Sequence, residues 1–142
     1  MDFTKENDNN LNINGLQIEP KTIDFITINF KNNIYTIKVT KTDKTETVVP
    51  NVYSFKQEDI EDQFYALHHN FIKAKFKQFI VVDKMLINLD NLLNVEYNNN
   101  AINLQFKDII LATSATENQY LSFINKYAEH LEKKVEELQN NL

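Results

Sequence analysis

The sequence of 142 residues contains no cysteine, no arginine and a single glycine, Gly15. Without cysteine the chain cannot form disulfides, thiolate zinc sites or a cysteine nucleophile. Without arginine it lacks the planar fork that binds phosphate, carboxylate or guanine through paired hydrogen bonds. One glycine cannot supply the phosphate-cradling loops of P-loop or dinucleotide-binding enzymes. These absences exclude both enzyme classes and all cysteine-dependent chemistry.

Positive charge is also scarce, because the net charge is −5 and all fifteen basic residues are lysine. Nucleic-acid-binding domains usually carry a basic excess, since neutralising phosphates drives their affinity. A general affinity for nucleic acid is therefore not expected. A local lysine patch is kept open as an alternative.

No apolar run reaches the roughly 20 residues that span a bilayer, and the first residues lack the basic and apolar blocks of a signal peptide. We therefore expect a cytoplasmic protein without a membrane partner. Asparagine, lysine and isoleucine are abundant, as in chains encoded by AT-rich genomes. An origin in a phage or plasmid fits this composition.

The distribution of apolar residues predicts an α+β fold. Residues 1–20 are polar and asparagine-rich and are expected to form a flexible tail, followed by a single α+β domain over 21–142. Apolar residues alternate on both sides of Asn32 and Asn33, which predicts an antiparallel hairpin. A short strand limited by Pro50 follows. Further short strands are expected between Phe79 and Leu111.

Two amphipathic helices are predicted, over about 55–77 and 115–140. Each begins with a predicted capping box, Ser54 to Gln57 and Ser114 to Glu117. Each half of the chain thus reads as a hairpin, a short strand and a capped helix. This order is compatible with a duplicated ββ(β)α unit. It is also compatible with two unrelated hairpin–helix units in a sequence of biased amino-acid composition.

The first helix carries more apolar residues than one buried face requires. Ile60, Phe64, Leu67 and Phe71 form its core stripe, and further apolar residues widen the arc. The additional arc is either covered within the fold or docks a partner. The candidate partner patch consists of Tyr65, Ile72 and Phe76. A candidate acidic docking patch consists of Glu58, Asp59, Glu61 and Asp62, which helix-dipole electrostatics alone would also explain.

The second helix changes character along its length. Its first half has a wide apolar face suited to docking on a sheet, whereas its second half has a narrow one. The apolar spacing from Leu121 is 3,4,3,4,3,4, the pattern of a coiled-coil seam. This seam could bind a second copy or another helix, or it could lie along the protein's own domain. The candidate interaction seam consists of Leu131, Val135, Leu138 and Leu142.

No constellation predicts catalysis, a metal site or a cofactor. His68 and His69 are adjacent on the first helix, and their side chains point about 100° apart. They therefore cannot coordinate one metal ion together, as a pair at i and i+4 can. None of the three serines lies in a nucleophile-elbow sequence. Lysines at 73, 75 and 77 alternate with aromatic residues, but their spacing does not build a stacking platform.

Three classes of function remain. The leading hypothesis is a non-catalytic interaction protein, acting as an accessory or inhibitor by binding a partner protein or itself. The first alternative is a nucleic-acid-associated factor that uses lysine patches. The second is an enzyme with an unrecognised, dispersed polar site.

Overall fold

The computed structural model describes residues 1–7 and 9–141 and confirms the α+β class. Within this part of the chain, eleven strands form three antiparallel sheets, together with two helices. The chain divides into two compact units, Met1–Asn91 and Leu92–Leu142. The expected single domain over 21–142 stays a prediction, and no Gly-, Pro- or Ser-rich linker marks the division between the two units.

The expected polar tail forms the first sheet of the first unit. Leu11 and Ile13 are completely buried and alternate with Asn10 and Asn12, so the segment has the period of a half-buried strand. Its high asparagine content hides this period when only the composition is considered. The strands, in the order β1-β2-β3, are β1 Phe3–Asn7, β2 Asn10–Ile13 and β3 Leu16–Ile18.

A five-stranded sheet forms the main body of the first unit, and the predicted hairpin is its centre. Asn32 and Asn33, in the turn between β4 and β5, adopt φ values of 54° and 62°. Asparagine tolerates this left-handed region better than most residues, so it takes the place of glycine in the turn. The strands, in the order β6-β5-β4-β8-β7, are β4 Ile23–Lys31, β5 Ile34–Lys41, β6 Glu46–Ser54, β7 Phe79–Val82 and β8 Met85–Asn88.

Strand β6 is longer than the sequence predicts, because it continues through Pro50. The strand lies at the edge of the sheet, where a missing N–H need not break a ladder hydrogen bond. The register with β5 shifts between Thr36 and Lys38, and Asn51 has a φ of 58°. This irregularity allows the strand to accommodate proline.

Helix α1, Gln57–Lys73, occupies the core of the first unit. Its stripe of Ile60, Phe64, Leu67 and Phe71 is fully buried, as predicted, together with side chains of the first sheet and the five-stranded sheet. The helix ends four residues before the expected position, and Lys75 has a φ of 66° just beyond it.

The predicted capping box of α1 is wrong. Lys56 occupies the N-cap and makes no side-chain capping bond. Ser54 instead accepts a hydrogen bond of 3.1 Å from the Lys56 N–H and donates one of 3.3 Å to Asp59. Because the strand extends to Ser54, the helix begins too late for this serine to reach the free amides of its first turn.

The second unit is a three-stranded meander followed by helix α2. Thr116, not Ser114, is the N-cap, and it forms a complete capping box with Gln119. Both units therefore contain an antiparallel three-stranded meander followed by a helix. A duplication remains a hypothesis. The elements, with strand order β11-β10-β9, are β9 Asn94–Asn98, β10 Ala101–Gln105, β11 Ile110–Ser114 and α2 Glu117–Asn140.

Candidate interaction surface on the second helix

One face of α2 is docked within its own unit. The ring of Tyr120 stacks on that of Tyr97 in β9, with centroids 5.0 Å apart and planes at 15°. Phe123 is 3% exposed, and the Tyr127 hydroxyl donates a hydrogen bond of 2.8 Å to the carbonyl of Leu92. Burial also raises the pKa of the Tyr127 phenol. These three residues share one side of the helix and fix its first half.

The heptad residues of α2 are centred on a neighbouring face. At 100° per residue, the centre of their stripe lies about 75° around the helix axis from that of Tyr120, Phe123 and Tyr127. Leu121 and Ala128, which lie in the half of the helix that was predicted to dock on a sheet, are exposed. We call this face the α2 seam; its described members are Leu121, Ile124, Ala128, Leu131, Val135 and Leu138.

The predicted second half of the seam is solvent-exposed. The exposed fractions are 44% for Leu131, 52% for Val135 and 69% for Leu138, and Leu121 at the other end is 49% exposed. The expectation that this half could lie along its own domain is therefore not met. The last predicted member, Leu142, lies outside the described residues.

The length of α2 explains this exposure. Its 24 residues extend about 36 Å, whereas the five-residue strands beside it extend only about 17 Å. Every residue from 135 to 141 is exposed. Within the described residues of α2, Phe123 alone is buried. The helix thus projects past the sheet and carries its apolar stripe with it.

Few charges flank the α2 seam. In heptad notation Leu121, Ala128 and Val135 are a positions, and Ile124, Leu131 and Leu138 are d positions. The flanking e and g positions of the projecting half contain one acid, Glu132, and one base, Lys134. A shallow, open depression on this part of the helix is lined by Leu131, Val135, Glu132 and Glu136. The surface is apolar, elongated and close to neutral at its borders.

The candidate partner patch on α1 is only partly exposed. Tyr65 and Ile72 are 46% and 54% exposed, but Phe76 is buried at 6%. The Lys5 ammonium lies 4.8 Å from the Phe76 ring centroid, and its Nζ donates a hydrogen bond to the carbonyl of Ala74. A residue some seventy positions away covers Phe76, so the predicted patch is wrong at that position.

The candidate acidic docking patch is partly paired within the fold. Glu61 forms an ion pair of 2.9 Å with Lys84, which lies in the β7–β8 turn, and accepts a hydrogen bond from Gln57. The Lys84 hydrogen bond holds the Glu61 pKa below its ordinary value, and Glu61 raises that of Lys84. Asp59 accepts from Ser54. Glu58 and Asp62 are exposed.

The lysines at 73, 75 and 77 are exposed, but the aromatic residues between and beyond them are not. Phe76 is 6% and Phe79 is 2% exposed, and both belong to the core of the first unit. They cannot stack on nucleotide bases from these positions. The alternation of lysine and phenylalanine in the sequence reflects packing rather than a binding platform.

The histidines of α1 do not join a larger ligand cluster. His69 is exposed and His68 is half-buried. Across residues 1–7 and 9–141, no three His, Cys, Asp or Glu side chains lie close enough to share a metal ion. In the same part of the chain, no helix combines the length and apolarity needed to cross a bilayer.

Comparison of the chain with models of protein families, with curated proteins and with solved structures found no match. The α2 seam is therefore defined from the residues and side-chain exposure of this chain alone. Sequence reasoning found the projecting half of the α2 seam through its heptad spacing. The predicted candidate seam begins only at Leu131 and omits Leu121 and Ala128, although the 3,4 spacing begins at Leu121 and both residues are exposed.

Proposed function

We propose that this protein is a non-catalytic binding protein, an accessory or inhibitor factor, whose α2 seam packs against a helix of another polypeptide. The observation that carries the proposal is the pair of apolar faces on α2. One face, through Tyr120 and Phe123, is already docked on the sheet. The other repeats with heptad spacing, and its members Leu121, Leu131, Val135 and Leu138 are exposed, whereas Ile124 is half-buried.

Burial of the α2 seam would supply the energy for association. Fully burying a leucine or valine side chain contributes roughly 1.5–3 kcal/mol, in proportion to the apolar area removed from water. Leu121, Leu131, Val135 and Leu138 are between 44% and 69% exposed. Each therefore retains about half of that contribution for a partner, which together amounts to several kcal/mol.

The helix is also organised before any partner binds. Its capping box at Thr116 and its docked tyrosines hold the first half in helical form. Helix nucleation is the costly step, and later turns add to an existing helix more easily. A partner helix therefore meets a formed surface, and the ordering entropy that usually weakens association is reduced.

A photo-crosslinking amino acid placed in the α2 seam tests the proposal. Val135 would be replaced by p-benzoylphenylalanine in the full chain, in the cells that naturally make it, with the same replacement at the off-seam residue Lys133 as control. We expect one discrete crosslinked product from position 135 and none from position 133. Absence of any product at position 135, in a chain that remains folded, would overturn the proposed function.

A further inference from the structure

We propose that the helix bound by the α2 seam is α2 of a second copy of this chain, lying parallel to the first. The inference rests on the proposed function and names its partner. It makes the protein a homodimer in which two projecting helices form a short two-stranded coiled coil. The two meanders lie on opposite sides of this coiled coil, because each sheet lies about 75° around its own helix from the α2 seam.

The residue types in the projecting half of the α2 seam favour two strands. Val135 occupies an a position, whereas Leu131 and Leu138 occupy d positions. A β-branched residue at a with leucine at d favours parallel dimers over higher assemblies. The small side chain of Ala128, one heptad earlier, permits close approach of the two helices.

The flanking charges are compatible with a copy of the same chain. In a parallel pair, Lys134 faces Gln139 of the second copy, and Glu132 faces Tyr127 of the second copy. An antiparallel pair that matches Leu131 with Val135 would instead bring Lys134 against itself and Glu132 against itself. Like charges placed opposite each other destabilise such contacts. A parallel copy of the chain therefore brings no like charges together across the α2 seam.

The projecting end gives a second reason for the parallel order. Residues 135–141 are exposed on all sides, beyond the reach of the sheet. Only parallel helices place these two ends beside each other, so that Val135 and Leu138 are buried by their counterparts. The coiled coil extends only about 27 Å over 18 residues. Such a length is marginal for free helices, but here the docked first half anchors each strand.

Light scattering on the purified full chain tests the dimer. We expect a mass of twice 16.7 kDa at tens of micromolar. The variant Leu131→Glu/Leu138→Glu should be a folded monomer, with the parent's circular dichroism. The control Ser122→Glu/Asn140→Glu adds the same charge at exposed off-seam positions and should remain dimeric. A parent that is monomeric at these concentrations, or a dimeric Leu131→Glu/Leu138→Glu variant, would overturn the proposal.

A single introduced thiol tests the parallel order, since the natural chain contains no cysteine. Oxidised Leu138→Cys should give a covalent dimer, whereas the off-seam variant Glu137→Cys should not. A dimer that fails to crosslink through position 138 contradicts the parallel arrangement. The photo-crosslinking product separates the two proposals: if its mass shows a different polypeptide, the proposed function stands and the second copy is excluded.

Discussion

Tyr97 and Tyr120 stack with their ring centroids 5.0 Å apart, and the hydroxyl of Tyr97 donates a hydrogen bond of 3.0 Å to the carbonyl of Ala115. One tyrosine of β9 thus holds both the first turn of α2 and the segment that leads into it. The aromatic faces are offset-stacked, an arrangement that contributes beyond simple area burial. This contact fixes the position of the first turn of α2 against β9.

Replacing Tyr120 by alanine should destabilise the second unit. We expect a loss of about 1–3 kcal/mol, since the change removes an aromatic pair and half-buried ring area. Chemical unfolding followed by circular dichroism measures the effect. Asn118→Ala, at an exposed position of the same turn, should change stability by less than about 0.5 kcal/mol. Equal effects from the two variants would show that the stacked pair does not anchor the helix.

Phe64→Ala should strongly destabilise the first unit, because Phe64 is completely buried in its core. Truncation of a buried phenylalanine typically costs about 3–5 kcal/mol through lost burial and cavity formation. The neighbouring Tyr65 is 46% exposed, so Tyr65→Ala is a matched comparison with a much smaller expected loss. Denaturant titration of both variants beside the parent measures the difference. A Phe64→Ala variant as stable as Tyr65→Ala would remove α1 from the core.

Replacing Asn33 by alanine and by glycine should have different effects on the free energy of unfolding. The residue has a φ of 62°, a region that costs an ordinary L-residue roughly 1–2 kcal/mol. We therefore expect Asn33→Ala to lower the free energy of unfolding by about 1 kcal/mol, and Asn33→Gly to leave it unchanged or raise it. Thermal and denaturant unfolding of the two variants is the measurement. The reverse ranking would mean that the asparagine side chain, rather than its backbone tolerance, stabilises the hairpin.

The Glu61–Lys84 ion pair predicts a pH effect. Because the pKa of Glu61 is lower in the folded chain, the pair stabilises the fold at pH above the unfolded value. That contribution is lost as pH falls through the folded pKa. Carbon-detected NMR titration of the Glu61 carboxyl should show a midpoint below its ordinary value, shifted upward in Lys84→Met. Lys44→Met, in an exposed turn, should not move it. An unchanged midpoint in Lys84→Met would remove Lys84 as the cause.

Local periodicity predicts much of this fold. The hairpin at Asn32 and Asn33 and the stripe of α1 follow from alternating and helical spacing, and the structure confirms both. The strand at Leu11 and Ile13 has the same alternation over only four residues. In a segment so rich in asparagine, the polar composition indicates a tail more strongly than four alternating residues indicate a strand.

Long-range contacts account for what sequence reasoning missed. Phe76 is buried because Lys5, on a strand that was expected to be a tail, lies over its ring. Glu61 is paired because the β7–β8 turn brings Lys84 to α1. Neither partner is near in sequence, so spacing along one helix cannot reveal it. The α2 seam was more accessible to prediction, since a heptad repeat is a property of one continuous segment.

The first half of α2 is docked on the sheet and the second half projects past it, so a small tilt of the docked half gives a large displacement at the projecting end. The Tyr127 hydroxyl holds α2 to the carbonyl of Leu92, and a tilt of 10° there displaces a point about 16 Å further along by about 3 Å. The accuracy with which Leu138 is presented therefore depends on side chains that never touch a partner. Loosening Tyr120 or Tyr127 would spread the tip over a wider volume and weaken association, although every residue of the α2 seam was left intact. In the proposed association, affinity would therefore depend on how rigidly Tyr120 and Tyr127 hold the first half of α2, as well as on the apolar side chains of its second half.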